Sequence, residues 1–212
     1  MPPKSTIEEH VAKQAEFKAH KLDPVLVEAR AGQRDVFFVE AAHFVRGAYL
    51  CGVWCFVRMM IRGASGRQRY NVLGAWNAVT RHSIRVSNVT RVSSDTMVEL
   101  LMKIATVKTR ATTLVLDNAR YPHCAKVEAV AQGLGIDLLF LTSYSPNLNL
   151  IERLWKFTKK KALRGKTYTD FTAFQAAIDD GLDKTATEYQ EPIKTLMTLE
   201  FQTFDKASFL AA

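Results

Sequence analysis

The chain has 212 residues and a mass of 23.9 kDa. With 48% apolar, 10% aromatic and 24% charged residues, wholesale disorder and low-complexity sequence are excluded, and a core can form without metal or disulfide. The longest stretch free of charge and strong polarity, Gly47 to Val57, falls short of the roughly 18 to 20 apolar residues of a membrane span. The net charge of +8 favours an anionic partner.

In chain order, the start lacks the apolar segment of a secretory signal before Glu8 and Glu9, so a cytoplasmic protein is expected. Ile7 to about Ala31 has a polar helical pattern, broken near Asp23-Pro24 and stopped at Gly32. Asp35-Val36-Phe37-Phe38-Val39-Glu40 predicts a strand buried on both faces. Val53 to Ile61 and Tyr70 to Thr80 flank Gly63-Ala64-Ser65-Gly66 and predict a long hairpin, with Ile84 to Val89 extending the sheet. Ser93 or Ser94 caps a helix to about Val107, with Met97, Leu100, Leu101 and Ile104 on its apolar side. A buried strand Thr112 to Leu116 ends in Asp117-Asn118. A helix from about Pro122 to Gln132 stops before Gly135, and Ile136 to Leu141 form a further buried strand. Ser143-Tyr144-Ser145-Pro146-Asn147 makes a turn, and a helix capped by Asn147 runs from Leu148 to about Leu163. Another helix covers Asp170 to Lys184. Three cysteines cannot make a disulfide framework, and all three are expected as reduced core thiols. Trp54, Trp76 and Trp155 are likewise expected in the core.

Strands joined through helices are parallel, whereas those joined by short turns are antiparallel. The fold class is therefore α/β, a mixed sheet with antiparallel early strands, parallel later strands and helices on both faces. We divide the chain into an N-terminal helical segment, 1–33, a catalytic domain, 34–166, and a C-terminal helical extension, 167–212. Such sheets place their sites beyond the carboxyl ends of the parallel strands, where Glu40 and Asp117 are expected on neighbouring strands.

The positive charge is not evenly spread. From Thr167 onward there are eight acids and three bases, so the part before carries 26 bases against 13 acids. Arg34 to Arg91 holds nine arginines and no lysine, and Leu148 to Lys166 holds seven bases against the single Glu152. Arginine forks match phosphate oxygens, which points to nucleic acid; a solvated cationic face is the plain alternative. On the last stretch, Leu150, Ile151, Leu154, Trp155 and Phe157 share one side of the helix, leaving Glu152 among Arg153, Lys156, Lys159 and Lys160 on the other. Taken singly, Glu152 is an ion-pair partner of Lys156, Asp117 a turn former, and Glu40 a salt-bridge partner of Arg34 or Arg46. Taken together, three carboxylates from three elements converge at one end of one sheet. Grouped carboxylates resist ionising unless a cation lies between them. An all-oxygen ligand set with open positions suits two magnesium or manganese ions, and two such ions suit phosphoryl transfer.

Three segments carry a family resemblance: Asp35 to Phe44, Leu116-Asp117-Asn118-Ala119-Arg120, and Ser143-Tyr144-Ser145-Pro146-Asn147-Leu148-Asn149-Leu150-Ile151-Glu152-Arg153-Leu154-Trp155-Lys156. They closely resemble the DDE transposases, in the bacterial insertion-sequence branch related to mariner elements, over roughly Arg34 to Leu163. The 34 residues between Asp117 and Glu152 match the spacing of that branch. The resemblance implies a ribonuclease H-like fold and a two-metal transesterification on DNA with Glu40, Asp117 and Glu152 as catalytic and metal-ligating residues. It implies cleavage at the element end, then attack of the freed 3′-hydroxyl on target DNA by a homo-oligomer associated with the bacterial nucleoid. Arg67, Arg69, Arg153, Lys156, Lys159 and Lys160 are the candidate DNA contacts; the hairpin tip Ser65 to Tyr70 would grip phosphate. Two departures stand out. The family carries Asp where this chain has Glu40, and one extra methylene moves a carboxylate by about 1.5 Å. Only 33 residues precede Arg34, too few for a pair of helix-turn-helix modules, so end recognition is expected on another polypeptide or on a longer amino-terminal part that was removed. The alternative is a catalytically inactive DNA-binding remnant acting as partner or competitor of an active copy. A host nuclease of the same fold would explain the acids but not the Ser-Pro-Asn-Leu-Asn run. His43 is expected to be a hydrogen-bonded structural histidine, and Asn118 to orient Asp117, contact DNA or form the turn.

Overall fold

The computed structural model describes residues 7–47, 68–119, 121–143 and 145–202. Five strands form one sheet in the order β3-β2-β1-β4-β5: β1 is Arg34–Val45, β2 Arg69–Asn77, β3 Ser83–Asn88, β4 Ala111–Leu116 and β5 Ile136–Phe140. β1, β2 and β3 are antiparallel neighbours joined by hydrogen bonds, while β4 pairs parallel with both β1 and β5. The predicted mixed sheet is present, with the short-turn strands antiparallel and the helix-linked strand β5 parallel to β4.

Side chains along a strand alternate between faces, and here the alternation sorts two cores. Val36, Phe38, Ala42 and Phe44 of β1, with Val72 and Trp76 of β2 and Val115 of β4, enter one core. Phe37, Val39, Leu73, Ala75, Leu114 and Leu116 enter the other. The second face is covered by α3 (Ser94–Val107) through Met97, Leu100, Leu101 and Ile104, and by α4 (Ala125–Gly133) through Val127 and Ala131. The first is covered by α5 (Ile151–Thr158), α6 (Phe171–Asp183), α7 (Gln190–Leu196) and the residues just after. Leu22, Leu26 and Ala29 of the N-terminal helices join the same cluster. The described residues after Thr167, up to 202, thus pack back on the fold. Each fully buried large apolar side chain, such as Phe38, Phe174 or Leu22, contributes about 1.5 to 3 kcal/mol. Among the described residues no helix is long and apolar enough to cross a membrane.

Several boundaries differ from expectation for local reasons. Helix α1 (Ile7–Phe17), a π-helical turn (Lys18–Leu22) and α2 (Asp23–Arg30) follow without the expected break at Asp23-Pro24. Pro24 lies in the first turn of α2, where its missing N–H is tolerated. Gly32 ends the helix at a φ of 72°, as its sequence position suggested. Helix α4 begins at Ala125 with Cys124 as N-cap, three residues after Pro122. Cys124 is half-buried rather than in the core, its thiol donating to the Tyr121 carbonyl. The helix expected from Leu148 to Leu163 is three pieces: a 3₁₀ turn Pro146–Leu148, α5, and a π-helical turn Lys159–Leu163. Asn147 caps none of them; its amide donates to Gln14 and to the Gln202 carbonyl. In the predicted hairpin only the second arm is described, as β2, both of whose edges are taken by β1 and β3. Val53 to Ile61, Trp54, Cys51, Cys55 and the turn Gly63 to Gly66 lie outside the described residues. Trp76 and Trp155 are buried, as expected.

Candidate active site

In the β1–β4 register, Val39 pairs with Leu116, so Glu40 and Asp117 are the next residue of each strand. Alternation puts both on the face of Phe38 and Val115, toward α5. The β1–β4 pairing ends at Val39 and Leu116, and on the other side the Leu116 carbonyl accepts from Leu141 N–H at 2.8 Å. Glu40 is not at a strand end, as expected, but in the middle of β1, which runs on to Val45 paired with β2 alone. The departure of β4 opens the sheet beside it. Helix α5 crosses this opening on Ile151, Leu154 and Trp155 and carries Glu152 in its first turn. A cavity of about 440 Å³ results, lined by Glu40, Asp117, Asn118, Ser145, Asn149 and Glu152 among others.

None of the three carboxylates forms an ion pair among the described residues. One Glu40 oxygen, Oε2, is buried and has no hydrogen-bond partner. Burial first, then the charge of Glu152, a hydrogen bond with Glu152 and the charge of Asp117, push the Glu40 carboxyl up to about 9; the Lys159 ammonium partly offsets this. Asp117 is also raised, by burial and by Glu152, against the Ala119 N–H that it accepts at 3.3 Å and the nearby His123. The Tyr121 hydroxyl is held well above its ordinary value by burial and by the charges of Asp117 and Glu40. Among the described residues no three His, Cys, Asp or Glu side chains enclose a metal ion by themselves. The donor set facing the cavity is wholly oxygen and includes the unpartnered Glu40 Oε2. It fits hard divalent cations that keep positions open for water and phosphate.

The neighbours were only partly foreseen. The Asn118 amide donates to the Leu141 carbonyl, and its oxygen accepts from His123 Nε2 at 3.1 Å, which fixes the turn after Asp117. His123 stacks on Phe140 with ring centroids 3.8 Å apart. His43 points away from the carboxylates, on the opposite face, and its Nδ1 donates to Asn71 Oδ1 at 2.7 Å, the structural role expected. Asn149 is buried at the cavity wall with neither amide atom hydrogen-bonded, a feature without sequence signal beyond its place in the Ser-Pro-Asn-Leu-Asn run.

The expected DNA contacts separate. Lys156, Lys159 and Lys160 are exposed on α5 and the turn after it. Lys159 lies 5.9 Å over the Phe44 ring, and Lys156 lines a second cavity, of about 600 Å³, that shares Pro146, Asn149 and Glu152 with the first. Arg69 is exposed at the start of β2, and Arg67 lies outside the described residues. The Arg153 guanidinium donates to the carbonyls of Leu196, Thr198 and Glu200 at 3.1, 2.8 and 2.6 Å and so clasps the C-terminal segment.

A family model described as DDE superfamily endonuclease matches residues 58–175, more than half of the chain; the match contains Asp117 and Glu152 and begins downstream of Glu40. Among solved structures the chain is similar to the Mos1 transposase paired-end complex with left transposon end, at 11% identity and a TM-score of 0.64, over 93% of this chain and 66% of that one. It is also similar to the Mos1 mariner paired end complex with Mn (10%, 0.62, 94% and 66%) and to the corresponding complex with Mg (10%, 0.59, 97% and 66%). The chain thus spans just under two thirds of the Mos1 chains. At these identities the likeness shows a common fold, the ribonuclease H-like mixed sheet flanked by helices. No curated protein sequence matches.

Proposed function

Because the chain belongs to the DDE superfamily of endonucleases, we propose that it is a transposase catalytic domain that cuts DNA at element ends and joins them to target DNA, with Glu40, Asp117 and Glu152 holding two magnesium or manganese ions. One observation carries this: three carboxylates from β1, the end of β4 and α5 line a single cavity and form no ion pair among the described residues. The two divalent ions supply activation of an attacking oxygen and stabilisation of the leaving oxygen at a phosphorus. The chain's own residues do the rest. Glu40, Asp117 and Glu152 would hold the ions through their carboxylate oxygens. Asn118, tied to Leu141 and His123, keeps Asp117 facing the cavity. Lys156, Lys159, Lys160 and Arg69 hold DNA phosphates beside it, a contact that weakens with salt. The Mos1 structures are paired-end complexes and include Mn and Mg forms, which supports divalent-ion use and assembly of this chain as an oligomer on paired DNA ends.

Glu40 sets the level of activity. Its extra methylene displaces the carboxylate by about 1.5 Å relative to aspartate, and a misplacement near 1 Å costs on the order of a hundredfold in rate. Glu40→Asp is expected to cleave a labelled element-end duplex in Mn²⁺ about a hundredfold faster than the natural sequence; equal rates would refute this. The same residue favours a second reading, an inactive DNA-binding remnant. That protein would bind DNA equally in chelator and stay silent as Glu40→Asp. A strand-transfer assay with pre-cut ends separates transposase from nuclease, since a nuclease only hydrolyses.

A further inference from the structure

In the β1–β2 register the residue opposite Glu40 is Gly74. Its backbone is not in the left-handed region, where glycine is needed for conformation; among the described residues the positive-φ glycines are Gly32, Gly135 and Gly165. What Gly74 supplies is space. A Cβ built there would lie 2.6 Å from Trp155 Cη2, 2.8 Å from Trp155 Cζ2 and 3.2 Å from Ile151 Cδ1. Carbon atoms in good contact stand about 3.5 to 4.0 Å apart, so any side chain at 74 drives the indole outward by about 1 Å. The indole is 4% exposed and has no room to turn aside: it meets Phe44 edge to face, with ring centroids 6.3 Å apart.

Ile151 and Trp155 precede and follow Glu152 on α5, one residue before it and three after. The two contacts that a Cβ would disturb are thus the ones that seat the first turn of α5 on the sheet. They do so directly beside Glu40, which lines the same cavity as Glu152. We propose that Gly74 and Trp155 are a positioning pair: the bare backbone at Gly74 admits the Trp155 ring edge and so sets how near Glu152 comes to Glu40, and hence the metal affinity of the carboxylate cavity. This rests on the assignment of those carboxylates as metal ligands. Neither residue touches metal or DNA. Both act through the placement of α5.

The test is calorimetric titration of Mn²⁺ into the full chain without DNA, for the natural protein, Gly74→Ala, Trp155→Phe and Gly74→Ala/Trp155→Phe, with Tm recorded for each. Phenylalanine lacks the outer ring edge that meets position 74. Gly74→Ala is expected to weaken Mn²⁺ binding at least tenfold, Trp155→Phe to change it less than threefold, and the double variant to return within threefold of Trp155→Phe. A merely structural role for Gly74 would lower Tm and leave the Mn²⁺ affinity in place. Unchanged affinity in a folded Gly74→Ala, or a double variant that stays weak or does not fold, overturns the proposal. Should Gly74→Ala alone not fold, the comparison of the double variant with Trp155→Phe decides it by the same threefold criterion. Absence of Mn²⁺ binding by both the natural protein and Glu40→Asp overturns the metal assignment itself, and this inference with it.

Discussion

The two ends of the same sheet treat carboxylates in opposite ways. At the amino end of β1, Arg34 donates to Glu28 at 2.6 Å, to Asp137 at 2.6 Å and to Thr113 at 2.7 Å. Next to it Asp35 takes the Asn77 amide at 3.0 Å and faces Arg110 at 3.4 Å. Five residues further along the same strand, Glu40 has a buried oxygen with no partner and is crowded by two other acids. Acids matched by bases hold β1, β4 and β5 in register, and the fold needs nothing more from them. Unmatched acids cost stability, because like charges are held together out of water. Such an arrangement persists where a ligand from outside supplies the missing charge.

The comparison is broken most severely by removing one acid from the unmatched end. Asp117→Asn is expected to reduce DNA cleavage in Mn²⁺ by roughly a thousandfold or more, while Tm in chelator holds or rises. Next is the pH dependence of the metal-free protein. The folded Glu40 carboxyl titrates at about 9 against 4.5 unfolded, so the folded state binds more protons between those values. Its stabilising contribution is complete below about pH 4.5 and is lost as pH rises toward 9, and Asp117 acts in the same direction. In chelator, Tm should fall by roughly 5 °C or more from pH 5 to pH 9. Glu40→Gln should remove most of that slope, and the slope should flatten in saturating Mn²⁺. A smaller effect is expected at the matched end: Arg34→Met should lower Tm by roughly 2 to 5 °C and leave Mn²⁺ affinity alone. Smallest of all is Lys126→Ala, which breaks an exposed pair with Asp95 on the helical layer. It should shift Tm by no more than about 1 °C.

Much of this contrast was legible in the residues. Val36 to Val39 and Leu114 to Leu116 are the unbroken apolar runs of central strands, which fixes where Glu40 and Asp117 emerge. Helical periodicity opposed Glu152 to the apolar side of α5. What escaped depends on partners distant in sequence. Nothing near Glu40 signals that β1 continues to Val45, because that length is set by pairing with β2. Arg153 looked like a DNA contact among lysines, but its acceptors are carbonyls more than forty residues on. Gly74 carried no signal at all, since its value is the room it leaves for an indole on another element. Asn147 has the residue type of a cap, yet Pro146 opens a 3₁₀ turn there and the true helix starts at Ile151.

The unmatched acids are tested most directly by anomalous diffraction from crystals of the natural protein soaked in Mn²⁺. The account predicts manganese peaks between Glu40, Asp117 and Glu152, with Glu40 Oε2 as a ligand. Manganese bound only at surface acids such as Asp179 or Asp183, with that cavity containing water alone, would contradict it.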